Sequence, residues 1–457
     1  MRESRLVGLG LCAWLMLTLA GSAAAQDDQQ KALDAQRDFN AVQVVYRAGV
    51  PHTDKRGQLL TQYDPARSFF QIGLWGVPTP CEVYGHKYDW TSLKEGGYNT
   101  VWPWSGDEEA LRTCEKEGMQ AILMHPHDAA FWQQWKDHPA LLGNCWMDEP
   151  LGRWDKQQET FDEYLKYRDE TRKVAPQLPI FINEVPWIMA PATGWWGKWN
   201  EASDISCHDN YPIMHRRARP NSISAEPNGI AQSVSFAVGC SREAKPVWLI
   251  VGAFTDRNPP GSAFPFRFPS PAELRACVYT GIIHGATGII YFTWDTWIPR
   301  DGNVIGMARD PQVAWAPLPK QEGCTNPSPA TPMQMAQSRA CWDAAAQINK
   351  ELTELTPVIL APTVGTEAGY SVKIEGTSPT LNPIRCLLKP HPDGGYVLLS
   401  VNCDDAVLKV TYNFAKALAG AEALYENQGP LPLGADGKSF TALYEPFDTH
   451  VIRVRTQ

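Results

Sequence analysis

The sequence predicts a (β/α)8 (TIM) barrel followed by a small C-terminal antiparallel β-sandwich. From about residue 68, short apolar runs alternate with charge-rich helical segments, which is the pattern of parallel strands joined by crossover helices. Eight such runs precede residue 295, the number that closes a barrel of this type. Beyond Pro362 the pattern changes to short alternating strands with Gly and Asn/Asp turns, which indicates a second, all-β unit.

The eight predicted strands share a short apolar run rich in β-branched and aromatic residues. They are FFQIGLW (69–75), NTVWPW (99–104), QAILMHP (120–126), LLGNCWM (141–147), PIFINEV (179–185), ISCHDNY (205–211), VWLIVGAF (247–254) and GIIYFTW (288–294).

Helix signals fall between these runs. The segment 105–118 has acids in its first turn and ends at Gly118. Ser270, Pro271 and Glu273 predict a capping box at the start of the helix before the eighth strand. An irregular Pro-rich insertion follows at about 298–332, and the next helix, beginning MQMAQ, completes the barrel.

The predicted domain organisation has four parts. Residues 1–25 have an Arg-containing start, an apolar run and small residues at the end, which together predict a signal peptide. Residues 26–67 are an accessory segment, 68–360 the barrel and 361–457 the sandwich. We therefore expect a periplasmic or extracellular protein. Ser22 stands where lipid attachment would need Cys, so no membrane anchor is expected once the leader is cleaved.

The amino-acid composition limits the classes of molecule that the protein is expected to bind. The formal net charge of −9 disfavours nucleic acid and anionic membranes. Eighteen tryptophans supply flat apolar faces of the kind that bind sugar rings, although core packing is the commoner use of any one of them. Neither a cofactor nor a metal site is predicted. In an oxidising compartment the cysteines make disulfides plausible: Cys324 with Cys341 would close the insertion and Cys386 with Cys403 could join neighbouring strands, but the sequence does not fix the connectivity.

The predicted site lies where the barrel strands end, since these barrels work at the C-terminal face. Its residues are acidic and aromatic, a combination that suits sugar stacking with carboxylates as proton carriers. The predicted substrate-binding residues are Trp75, Trp102, Trp104, His125, Asp148, Tyr211, Trp294 and Asp295.

The fourth strand and its end, HPALLGNCWMDEP, resemble the signature of the large retaining clan of (β/α)8 glycoside hydrolases. The IGLWG first strand, the GYNT second strand and the Trp ending the eighth strand are similar to that clan too. The resemblance implies that Glu149 is the acid/base glutamate. It places Asp148 where the clan has an asparagine that touches the sugar 2-hydroxyl.

The seventh strand departs from the clan. VWLIVGAFTD lacks the glutamate that serves as nucleophile there. The candidates for a second catalytic carboxylate are Asp256, Asp209 and Glu184. The sequence does not choose among them, nor between retaining chemistry, which needs carboxyls roughly 5 Å apart, and inverting chemistry, which needs a wider gap.

Glu149 is well suited to act as an acid, because Trp146 and the like charge of Asp148 are both expected to raise its pKa. Each acid also has a structural alternative. Asp148 or Glu149 would then pair with an arginine or cap a helix, Asp209 would cap the following turn, and Glu184 would accept hydrogen bonds inside the barrel mouth.

We therefore expect a secreted glycoside hydrolase acting on a poly- or oligosaccharide. Two alternatives stay open: a non-catalytic carbohydrate-binding barrel, favoured by the seventh strand, and a transglycosylase. The sugar, the linkage and the oligomeric state are not predicted.

Overall fold

The computed structural model describes residues 69–77, 90–103, 107–152, 154–186, 192–214, 229–241, 245–256, 266–294, 304–310, 331–361, 363–364, 369–378, 382–426 and 429–457. The predicted signal peptide and accessory segment lie outside these residues, as do Trp104, Asp295 and most of the Pro-rich insertion.

Eight parallel strands form a closed barrel, which confirms the predicted fold class. The first barrel strand pairs with both the second and the last, so that Gly73 lies between Thr100 and Ile290. The strands of this part, all in the barrel except β8 and β10, are β1 (Gln71–Val77), β2 (Thr100–Pro103), β3 (Gln120–Met124), β4 (Leu141–Asp148), β5 (Ile180–Glu184), β6 (Ser206–Asn210), β7 (Val247–Gly252), β8 (Phe254–Asp256), β9 (Gly288–Phe292) and β10 (Val304–Gly306).

Helices alternate with the barrel strands as predicted. They are α1 (Trp90–Glu95), α2 (Asp107–Glu117), α3 (Ala129–Trp135), α4 (Gln157–Val174), α5 (Ala192–Ala202), α6 (Ile230–Cys240), α7 (Pro271–Ile283) and α8 (Pro332–Ile359). The capping box predicted for α7 is present, with both reciprocal Ser270 and Glu273 bonds formed. A second box, from Thr331 and Gln334, starts α8. These boxes satisfy backbone N–H groups that the first helical turn leaves without partners.

The barrel interior is filled by side chains. Inward residues of successive strands form one apolar cluster that includes Trp75, Trp102, Ile122, Phe181 and Trp248. The indoles of Trp75 and Trp102 stack with ring centroids 4.4 Å apart. A larger cluster occupies the layer between the strands and the surrounding helices. Because the interior is packed, ligands are confined to the mouth of the barrel.

Two antiparallel sheets follow the barrel and bury a second core between them, in agreement with the predicted sandwich. One sheet has the order β11-β14-β17 and the other β12-β13-β18-β15-β16. The strands are β11 (Tyr370–Glu375), β12 (Ile384–Pro390), β13 (Tyr396–Asn402), β14 (Leu408–Phe414), β15 (Leu418–Leu424), β16 (Pro430–Leu431), β17 (Ser439–Tyr444) and β18 (Thr449–Thr456). The exact boundary at 360/361 stays a prediction.

The sandwich docks on α7 and α8. Arg275 of α7 binds the Glu351 carboxylate of α8 at 2.8 Å and also donates to the backbone carbonyl of Thr449 in β18. Tyr279 donates to the same Glu351 carboxylate at 2.7 Å. A buried charge is tolerated when it is paired and hydrogen-bonded, so this cluster connects the two units without leaving a charge uncompensated.

Neither possible disulfide forms, since the described cysteines of both pairs are free. Cys386 is a free thiol that lies opposite Ser400 in the β12–β13 ladder, and Cys403 is 3.4 Å from the Thr280 hydroxyl. Cys341 is also free, and Cys324 lies outside the described residues. The sequence identified neighbouring strands, but a disulfide needs facing Cβ atoms, which depend on register. Across the described residues, no helix is long and apolar enough to span a membrane.

Candidate active site

The fourth strand delivers two carboxylates to the barrel mouth. Asp148 is its last residue, and Glu149 follows at a φ of +46°, a left-handed conformation uncommon for residues other than glycine. The backbone N–H of Glu149 donates to the carbonyl of Asn183 at 2.9 Å, and its carbonyl accepts from Gly152 at the same distance. Because the turn reverses the strand's alternation, both side chains reach solvent.

Asn183, at the end of the fifth strand, joins acids from two other strands. Its Nδ2 donates to Asp148 Oδ1 at 2.9 Å and to Asp209 Oδ1 at 3.0 Å. Since both bonds leave one nitrogen, these two oxygens are at most about 6 Å apart. The structure therefore brings Asp148, Glu149 and Asp209 into one carboxyl cluster.

The cluster favours proton binding. Burial, followed by the neighbouring charge of Asp148, raises the pKa of Glu149 to about 7. Burial likewise raises the pKa of Asp148, against the hydrogen bond from Asn183 and the nearby charge of His125. The pKa of Asp209 rises well above its usual range through burial and then through the charges of Glu149 and Asp148. With a pKa of about 7, Glu149 exists in both its protonated and its ionised form near neutral pH, as acid–base chemistry requires.

Trp146 does not cause these shifts in the way the sequence predicts. Its ring packs outward against Tyr164 and Trp199 in the layer between strand and helices, with centroids 5.4 and 6.5 Å away. The inward position beside it belongs to Cys145. Successive strand residues face opposite sides, so the indole and the preceding thiol cannot both face the lumen.

Glu184 has the structural role that the sequence left open. It is fully buried, and its two carboxylate oxygens accept the backbone N–H groups of Leu151 at 3.0 Å and Val185 at 2.9 Å. Burial raises its pKa well above the usual range, with these two bonds opposing. Glu184 thus holds the turn that carries Glu149.

Asp256, the remaining acid proposed from the sequence, continues beyond the seventh strand in β8, where its backbone pairs with Val304 of β10. Its side chain lies outside the described residues.

Aromatic rings close the side of the mouth between the sixth and seventh strands. Tyr211 stacks on Phe292 with centroids 5.6 Å apart and meets Phe254 edge-on at 5.2 Å. Burial and then the charges of Asp209, Asp148 and Glu149 raise the pKa of Tyr211 well above its usual range, so its phenol feels the charge of the cluster. A Cβ at Gly252, the inward end of β7, would lie 3.1 Å from the Tyr211 ring. Tyr211 therefore takes the space of a seventh-strand side chain.

The other predicted binding residues separate into two groups. Trp75 and Trp102 are 2% and 0% exposed inside the lumen, and Trp294 is 4% exposed, so all three are core residues in this structure. His125 is exposed at the end of β3, with a φ of +68°, and its charge acts on Asp148. It joins Tyr211 beside the carboxyl cluster.

Asn183 is the central residue to which the sequence, although it places Asn183 at the end of the fifth strand, assigns no role. The alternation of side chains along β5 and β6 could have identified it. Phe181 of β5 and Cys207 of β6 face the lumen, so Asn183 and Asp209, two residues further along each strand, point to the same side. His208, one residue out of phase, faces α6 and bonds Ser233 at 3.0 Å.

Comparison with known proteins supports the architecture. No protein-family profile and no curated protein matches the chain. Among solved structures, one described as a glycoside hydrolase aligns with a TM-score of 0.50 at 11% identity, covering 91% of this chain and 98% of that one. A family 5 glycoside hydrolase from Bacteroides vulgatus aligns with a TM-score of 0.51 at 13% identity, covering 90% and 95%. The chain thus resembles glycoside hydrolases in its barrel fold, as the fourth-strand motif predicts.

Proposed function

We propose that this protein is a glycoside hydrolase in which Glu149 protonates the leaving-group oxygen. The observation that carries the proposal is the carboxyl cluster at the ends of β4 and β6, where partial burial raises the pKa of Glu149 to about 7 while its side chain still reaches solvent. A glycosidase needs one protonated and one ionised carboxyl near the scissile bond. The Asp148–Asp209 pair supplies the second group in this proposal.

The substrate we propose is a poly- or oligosaccharide met outside the cytoplasm, because the N-terminal segment has the pattern of a secretory leader. Structures described as glycoside hydrolases share the fold, which adds support for a carbohydrate substrate. Tyr211 and Phe292 supply aromatic surface beside the acids.

The test is hydrolysis of a panel of natural glycans, with products separated by chromatography. Glu149→Gln should lower kcat by about 100-fold or more, the usual contribution of a general acid. Glu170→Gln, at an exposed glutamate of α4, is the matched control and should keep full activity. Full activity in Glu149→Gln would reject the proposed acid.

One observation favours a second candidate, a carbohydrate-binding barrel without catalysis. The inward end of the seventh strand is Gly252, and Tyr211 takes the space of the side chain that would stand there. Oligosaccharide binding by calorimetry, with no product after long incubation, would support this candidate. If products form, NMR of the released anomer separates retention, including transglycosylation, from inversion.

A further inference from the structure

Asn183 contacts every acid of the carboxyl cluster. Its side-chain Nδ2 donates to Asp148 at 2.9 Å and to Asp209 at 3.0 Å, while its backbone carbonyl accepts the N–H of Glu149 at 2.9 Å. The residue is 2% exposed, so solvent does not replace these contacts. One residue of the fifth strand therefore links acids carried by the fourth and sixth strands.

The orientation of this amide is fixed by chemistry. A primary amide has two N–H hydrogens, and here each carboxylate receives one. On the other side, the thiol of Cys207 lies 3.7 Å from Oδ1 and donates to it. The reversed amide would lose the hydrogen bond from the Cys207 thiol and would set its oxygen against any carboxylate that is ionised.

We propose that Asn183 is a positioning residue that holds Asp148 and Asp209 as one hydrogen-bonded pair and sets the pH range in which the pair is ionised. The activity readout of this inference rests on the proposed glycosidase function. The pairing itself does not, because it can be measured on the two carboxyl groups directly.

The charges around the pair explain why this amide matters. Burial raises the pKa values of both Asp148 and Asp209, the charges of Glu149 and Asp148 raise that of Asp209 further, and the Asn183 bonds lower both. The other titratable groups facing the pair are Glu184, Tyr211, Cys145, Cys207 and, with a charge that favours ionised Asp148, His125. Removing the amide leaves every effect that favours the protonated forms in place.

The kinetic test compares Asn183→Leu with Asn144→Leu. Asn144 is also a fully buried asparagine that bridges strands, but its Nδ2 donates to the carbonyls of Leu123 and His125, and its Oδ1 accepts from Tyr167. In Asn183→Leu we expect the acidic limb of the kcat/KM profile to move up by about one pH unit, since each hydrogen bond to a carboxylate lowers its pKa by about that much. In Asn144→Leu the limb should not move. Equal movement in both variants would overturn the inference.

A second measurement does not depend on activity. Carboxyl 13C NMR of aspartate-labelled wild type, Asn183→Ala and Asp148→Asn reports the titration of each carboxyl. Asn183→Ala should raise both midpoints, and Asp148→Asn should lower that of Asp209 by removing a like charge. Unchanged midpoints would overturn the pairing even in an active enzyme.

If wild type cleaves no glycan, the proposed function fails while this titration still decides the role of Asn183. If no Asn183 variant folds, the Asp148→Asn comparison still tests whether Asp148 and Asp209 titrate as a pair, and an unchanged Asp209 midpoint overturns the inference.

Discussion

The backbone N–H of Leu151 donates a 3.0 Å hydrogen bond to the carboxylate of Glu184, which ties the turn after Glu149 to the end of the fifth strand. Glu184→Ala would leave the buried N–H of Leu151 and the partly buried N–H of Val185 without their acceptor. We expect a loss of about 2–4 kcal/mol in the free energy of unfolding, since each unsatisfied buried donor costs about 1–3 kcal/mol. Urea denaturation measures this. Glu184→Gln, which keeps one oxygen acceptor, should lose less, and an equal loss would argue against the two-bond role.

Glu149 should set the alkaline limit of activity. With its pKa raised to about 7 from an ordinary 4.5, the glutamic acid form is available at neutral pH and disappears above it. The rate of glycan hydrolysis is therefore expected to fall as pH rises past about 7. A rate that keeps rising well above that pH would show that another group supplies the proton.

The same shift predicts a change in stability. A carboxyl whose pKa is raised on folding contributes its full stabilisation below about pH 4.5, the unfolded value, and loses it as pH rises through about 7. The melting temperature of wild type should decline across this window more steeply than that of Glu149→Gln, which carries no ionisable group there. Parallel curves for the two proteins would contradict the raised pKa.

Arg275 should be the most costly charge to remove at the seam between barrel and sandwich. Its partner Glu351 is only 2% exposed, so Arg275→Met leaves a buried carboxylate without its cation, at a cost of about 3–5 kcal/mol. Adding Glu351→Gln to this variant should recover part of the loss. The control is Arg339→Met at the exposed Arg339–Asp343 pair, where the expected loss is below about 1 kcal/mol. Denaturation midpoints compare all four proteins.

His450 should make the sandwich sensitive to mild alkali. Burial lowers its pKa, but the hydrogen bond from Nδ1 to Glu426, 2.5 Å long, and that carboxylate's charge outweigh burial and raise it overall. A raised histidine pKa gives stabilisation that is complete below about pH 6.5 and is lost as pH rises through the folded value. Between pH 6 and 9 the melting temperature of wild type should therefore fall more than that of His450→Gln.

The sequence predicts the barrel well because parallel strands buried on both faces are continuous apolar runs that stand out from charged helices. LLGNCWM at 141–147 becomes β4 at Leu141–Asp148, and VWLIVGAF at 247–254 becomes β7 at Val247–Gly252. The ends differ by one or two residues because strand limits depend on pairing partners, which lie far away in the chain.

The site is predicted only in part, for a related reason. The strand ends in the sequence identify Asp148, Glu149 and Asp209. The direction in which each side chain points, however, decides what the residue does. Trp75 and Trp102 face the filled lumen and pack there, whereas Asn183 faces the acids and links them. Such directions follow from register and local twist, which a linear pattern of apolar residues does not record.

The order of strands in the sandwich has a consequence for biosynthesis. β18 lies in the middle of its sheet, between β13 and β15, yet it is translated after both of them. While the ribosome is still making β17, the edges of β13 and β15 that will receive β18 have no partner in this sheet. The barrel can close as it emerges, but the larger sandwich sheet cannot close until residues 449–456 have left the exit tunnel. In the cell, the sandwich must therefore complete its folding after the barrel strands are already available.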